Sequence, residues 1–117
     1  MYVKKVIRKF EFFNKKDQIC ALTEFTDDND IRRVKFALPR FGTLQLKDPN
    51  MIEDVDKFIS VIRSTDHHFE GFLCESEGTG GEEYLIVFKN CHIEIHTRER
   101  VVFSDIFEYV TPEDMIN

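Results

Sequence analysis

The sequence predicts an α+β fold: an antiparallel β-meander, or two packed sheets, with one amphipathic helix over about 49–64 covering an apolar face. Three observations predict it. Short segments rich in Val, Ile and Phe alternate with clusters of turn-forming residues. One segment alone, DPNMIEDVDKFISVIRST, places apolar residues at helical spacing between helix-start and helix-stop signals. The resulting order is strands, one helix, then strands again, the pattern of α+β domains. A chain of 117 residues has the size of one domain, read as 1–117.

The first segment, MYVKKVIRKFEFF, is open to two readings. Val3, Val6, Ile7, Phe10 and Phe13 recur at helical spacing, whereas the Val, Ile, Phe and Tyr content favours a strand and no capping residue precedes it. A hairpin of residues 2–13 and 18–26 around NKKDQ is the favoured reading, with a helix as the alternative. TDDNDI is a turn dense in side chains that bond back to their own backbone. RRVKFAL follows as a strand with Val34, Phe36 and Leu38 on one face, ended by Pro39. FGTLQLK gives another, with Leu44 and Leu46 paired on one face.

In the helical segment Asp48 suits the N-cap and Pro49 the first helical position. Met51, Ile52, Val55, Phe58, Ile59 and Ile62 form one stripe. Glu53, Asp54 and Asp56 lie near the positive end of the helix dipole and Arg63 near the negative end. Beyond it, HHFEGFLCES and EYLIVFKNCHIEIH read as strands joined by the acidic loop EGTGGEE. RVVF, a turn at Ser104–Asp105, and IFEYV complete the strands. TPED resembles a helix-starting cap.

The hydrophobic share of 42% and the charged share of 32% are those of an ordinary globular protein. Twelve phenylalanines and no tryptophan point to a core filled mainly by rings without a polar handle. Three cysteines, none in a Cys-x-x-Cys pair, argue for free thiols in a reducing compartment. No apolar run reaches membrane-spanning length and the basic N-terminus lacks a signal-peptide core. The expected location is therefore the cytoplasm.

The net charge of −6 is unevenly spread: residues 1–40 hold ten basic and six acidic side chains, and residues 41–117 six basic and sixteen acidic. This asymmetry predicts two surfaces of opposite sign and speaks against a duplex-DNA binder, which needs one dominant basic face. Two stretches carry possible chemistry. In NCHIEIH, alternation places His92, Glu94 and His96 on one strand face, opposite Ile93 and Ile95. If EGTGGE closes a hairpin, paired residue numbers sum to about 159 by this strand-pairing rule. His67 then lies opposite His92 and His68 opposite Cys91. His67, His92, Glu94 and His96 would make a chemically reasonable ligand set for zinc or another divalent metal. The bland reading is the wet face of a half-exposed strand. In EGTGGEE, Glu75, Glu77, Glu82 and Glu83 would repel phosphate, so the glycines mark a hairpin tip whose charge suits a basic partner.

No nucleophile elbow or phosphate loop is present. Charge and lack of motifs together favour a small acidic interaction protein, immunity- or inhibitor-like, that binds and masks a basic protein partner through Glu75, Glu77, Glu82 and Glu83 without catalysis or a cofactor. The alternative is a metal-binding protein or metal-dependent enzyme using the His/Glu strand cluster. A second alternative is a single-stranded nucleic-acid module using Lys4, Lys5, Arg8 and Lys9. A homodimer through an edge strand of the N-terminal hairpin is compatible with all three readings.

Overall fold

The computed structural model describes residues 3–47, 52–63, 68–76 and 82–111. Ten elements follow in order: β1 (Val3–Asn14), β2 (Asp17–Asp27), β3 (Arg32–Leu38), β4 (Gly42–Leu46), α1 (Ile52–Arg63), β5 (His68–Ser76), β6 (Glu83–Lys89), β7 (His92–His96), β8 (Val101–Ile106) and β9 (Tyr109–Thr111). All nine strands belong to one antiparallel sheet in the order β8-β7-β6-β5-β4-β3-β2-β1-β9. The sheet curls into a half-barrel. The α+β expectation is therefore wrong: the fold is almost wholly β, and α1 is a single short helix rather than a covering layer. The physical reason is the curl. The sheet wraps its apolar face around itself, so little of that face is left for a helical layer to cover.

The N-terminal segment forms the hairpin, not the helix. β1 and β2 pair from Val3↔Asp27 to Asn14↔Asp17, with Lys15 at a positive φ of 57° in the two-residue turn. The β2–β3 connection is built on Asp27. Its Oδ1 accepts the N–H groups of Asn29 (2.9 Å) and Ile31 (3.0 Å), and its Oδ2 accepts Arg33 Nε at 2.7 Å. These donors, the Arg33 guanidinium first, hold its carboxyl below the usual carboxylate range.

Two departures from the sequence reading matter later. EYLIVFKNCHIEIH is not one strand but a second hairpin, β6–β7, turned at Asn90 (φ 49°) and Cys91 (φ 64°). Two successive left-handed residues make the turn that matches strand twist, and Asn-Cys lacks the Asn-Gly signature that would have announced it. The expected turn at Ser104–Asp105 is absent: β8 runs through both residues and the chain bends at Phe107–Glu108. There Phe107 N donates to Cys91 O (2.9 Å) and Glu108 N to Phe13 O (2.7 Å), so this bend ties the β8 end of the sheet to the β1 end. The TPED cap lies outside the described residues.

The concave side is packed with rings. Phe58 of α1 lies 4.5 Å from Phe88, 5.4 Å from Phe72 and 6.1 Å from Phe12, measured between ring centroids. Phe12 also meets Phe88 at 5.3 Å and Phe107 at 5.2 Å. Val55 and Phe58 are fully buried, so α1 acts as a plug that sends these two side chains into the half-barrel.

A fully buried charge shares that concave face. Leu22 and Glu24 alternate onto it, and the Glu24 side chain has no exposed surface. Arg8, opposite it on β1, donates to Oε1 at 2.5 Å; Arg32 donates from Nε to Oε2 at 2.9 Å. Arg8 also reaches Asp56 of α1 at 3.0 Å. The four side chains join three strands and the helix.

Two outcomes test these contacts. Glu24→Gln removes the charge that both guanidiniums face. Because Arg8 and Arg32 still reach solvent, the expected loss is about 2 kcal/mol, below the ~3–5 of a fully buried pair, read as a lower urea midpoint with an unchanged slope. Gly71 has φ +133°, and a Cβ there would stand 2.5 Å from Ile86 O. Gly71→Ala should cost about 2–3 kcal/mol, and a thermal midpoint equal to wild type would refute the strain.

Candidate functional site

The convex face of β5–β8 gathers most of the residues that the sequence singled out. Strand register maps it in rows. Glu75 pairs with Glu83 and Leu73 with Leu85. Leu85 pairs in turn with His96, Val87 with Glu94, and Lys89 with His92. His96 pairs with Val101, Glu94 with Ser104, and His92 with Ile106. Directly opposed residues share a face. Leu73, Leu85 and Val101 therefore form an apolar row with His96 among them, 38%, 37% and 44% exposed respectively. The carboxylates of Glu75 and Glu83 border it on one side and Glu94 on the other.

Two shallow grooves follow this row. One, of about 300 Å³, is lined by Leu73, Glu83, Leu85, His96 and Arg98; its neighbour, of about 250 Å³, is lined by Glu82, Glu83, Thr97, Arg98 and Glu99. Tyr84 borders both, and its hydroxyl donates to Glu82 Oε2 at 2.5 Å, a bond that raises the phenol's pKa. Lys47 Nζ donates to Glu83 Oε2, and this contact holds the Glu83 carboxyl below its usual range.

Glu75, Glu82 and Glu83 are thus brought together, while Glu77 lies outside the described residues. His92, Glu94 and His96 share one face of β7. His96 Nε2 lies 2.9 Å from Glu94 Oε1, and His92 Nδ1 lies 3.1 Å from Asn90 O. His67 lies outside the described residues. Among the described residues, no three His, Cys, Asp or Glu side chains converge as a ligand set.

The register behind the four-ligand cluster needs correction. Leu73↔Leu85 and Cys74↔Tyr84 are one residue off the expected pairing, and an irregularity between Phe69 and Phe72 adds a further shift. His68 consequently pairs with Lys89 rather than Cys91. Burial pushes Cys20 well above the ordinary thiol range and Cys74 up to about 12.

The basic N-terminal residues are largely engaged. Lys4 bonds Asp30 at 2.7 Å, Arg8 bonds Glu24 and Asp56, and Lys9 lies 3.5 Å from Glu11. Among the described residues, no helix is long and apolar enough to cross a membrane.

Leu73, Leu85 and Val101 were missed as site residues. Their signal was available: Leu73 has the parity of Glu75 on β5, and Leu85 that of Glu83 on β6. Comparison with protein-family models, with curated proteins and with solved structures gives no match.

The Lys47–Glu83 contact gives a direct test. In Lys47→Met the Glu83 carboxyl should titrate at higher pH than in wild type, towards 4.5. Carboxyl-detected NMR titration reads this, and an unmoved Glu83 would mean that the pair does not persist in solution.

Proposed function

We propose that this protein binds and masks a basic protein partner through the convex face of β5–β8, acting by occlusion rather than by chemistry. One observation carries the reading. Two exposed leucines stand directly opposite each other, and in the next row two glutamates do the same. A clustered apolar surface rimmed by polar groups marks a contact site more often than scattered exposed residues do. Directly opposed like charges destabilise a strand pair. Lys47 relieves one member, and a lysine or arginine from a partner would relieve the other.

The sheet order supports the same reading. Because strands follow one another in chain order from β1 to β8, the strands of the acidic half lie next to one another rather than interleaved with those of the basic half. A field of one sign speeds encounter and selects the partner, while the leucines supply the desolvated centre.

The test is affinity capture from lysate of the source cells, run in parallel with wild type and Leu73→Ser/Leu85→Ser. A basic protein retained by the first and lost by the second is the expected result. With that protein purified, Glu75→Gln/Glu83→Gln should slow association about tenfold at low salt and flatten its salt dependence. A captured set that the leucine substitutions leave unchanged would remove this face from consideration.

A further inference from the structure

A cavity of about 400 Å³ lies where the two ends of the sheet come together. Three separate stretches build it: Asn14, Lys15 and Asp17 of the first hairpin, Arg40 between β3 and β4, and Asp105 with Ile106 at the end of β8. Glu108 fixes the rim. Its backbone N–H donates to Phe13 O, and its carboxylate accepts the Lys15 N–H at 2.5 Å. The Tyr109 hydroxyl donates to Lys15 O at 2.9 Å. The backbone of Lys15 is thus gripped through both its N–H and its carbonyl, so this wall is set before any ligand arrives.

Asp105 stands opposite the fully buried Ile93, on the core-facing side of β8, and its own side chain is only 15% exposed. A carboxylate in such a place needs donors. Glu24, buried on the same side of the sheet, has two guanidiniums that donate to it. Asp105 is not so provided. Its Oδ1 accepts the Ile106 N–H at 2.9 Å, but its Oδ2 is, among the described residues, the one buried side-chain nitrogen or oxygen without a hydrogen-bond partner. Arg40 comes near, with Nη1 3.5 Å from that oxygen and Nη2 4.0 Å from Asp17 Oδ2, yet hydrogen-bonds neither. The Arg40 side chain is 65% exposed, so little packing holds it there.

The charges of the lining select what can bind. A simple anion would face the carboxylates of Asp17, Asp105 and Glu108, and a simple cation would face Lys15 and Arg40. A molecule that carries both charges on one carbon matches the side-by-side placing of Asp105 and Arg40. Ile19, almost fully buried, and Ile106, half-exposed, add apolar wall. We propose that this cavity binds a free α-amino acid with an aliphatic side chain. Its ammonium donates to Asp105 Oδ2, its carboxylate accepts from Arg40, and its side chain lies against Ile19 and Ile106. Arg40 thereby exchanges Asp105 for the carboxylate of the ligand, and Asp105 gains the donor it lacks. The volume is in the range of small-molecule sites.

Amide NMR of the nitrogen-labelled full chain, titrated with millimolar L-leucine, L-isoleucine or L-valine, should show shifts gathered at residues 14–19, 40 and 105–108. Two blocked probes separate the charges. N-acetyl-L-leucine lacks the ammonium and L-leucinamide lacks the carboxylate. Each should bind about tenfold more weakly than L-leucine, the loss expected for one charge-assisted hydrogen bond. Asp105→Asn should bind L-leucine and N-acetyl-L-leucine alike, and Arg40→Met should bind L-leucine and L-leucinamide alike. Amide shifts at none of these residues with any of the three amino acids overturn the proposal. So does a site that takes either blocked probe as tightly as L-leucine. Should Asp105→Asn disturb the fold, the blocked probes on the wild-type chain decide. No partner protein enters these measurements, so their outcome is independent of the masking role.

Discussion

A single sheet has two faces, and the described residues of this protein offer one short helix with which to cover either. Its apolar side must therefore be hidden by curvature, and the ring contacts show how far that goes. Five strand spacings separate β1 from β6. In a flat sheet that is about 24 Å. Phe12 on β1 and Phe88 on β6 nevertheless stand 5.3 Å apart, centroid to centroid. The sheet has to curl until these rings touch, with Phe58 of α1 filling the space between them and Phe72. Each such ring removes area worth roughly 2–3 kcal/mol from water, so the curl is held by the burial it permits. The bend at Phe107–Glu108 then brings the far ends of the sheet into backbone contact.

Against that apolar interior, Glu24 is an apparent contradiction, a fully buried carboxylate on the concave face. Its position explains why it is tolerated. It faces Arg8 and Arg32, both of which keep part of their guanidinium surface in water, so the cluster as a whole is not desolvated. Burying an ion pair seldom adds stability over an apolar pair, but breaking one is costly. That asymmetry suits a register device. A one-residue slip of β1 against β2 would carry Arg8 to the convex face and leave Glu24 short of a partner, and Asp56 would lose its link to the sheet.

What the sequence allowed one to read, and what it did not, divides along the same physical line. Strand positions with alternating burial were legible: Val34, Phe36 and Leu38, Leu44 and Leu46, and Ile93 and Ile95 all face the core. So was a helix within 49–64, because caps and periodicity are local properties. The fold class was misjudged because curvature is not local. Nothing in the residues of α1 tells whether it covers a face or plugs a half-barrel. Pairing was misjudged in the β5–β6 hairpin because register depends on the loop and on a bulge, and Gly71 was its only mark. Asn90–Cys91 hid a turn inside what reads as one long strand, since Cys rarely occupies a left-handed position.

The candidate site shows a further limit. Reading by chemistry picked out the residues that can titrate or coordinate, the histidines of HIEIH and the glutamates around EGTGGEE, and set them against each other as rival sites. The fold makes Glu75, Glu83, His92, Glu94 and His96 neighbours on one convex surface, because β5, β6 and β7 are adjacent and these residues share a face. What joins them is the row of Leu73, Leu85 and Val101, which has no chemistry of its own and therefore gave no signal when charge was the guide. The chain-order meander adds the last element. It places β5–β8, with Glu75, Glu83 and Glu94, at one end of the sheet and the lysine-bearing β1 towards the other. Surface charge and exposed leucines thus converge on the same half of the molecule, and that convergence is a consequence of the topology rather than of any single residue.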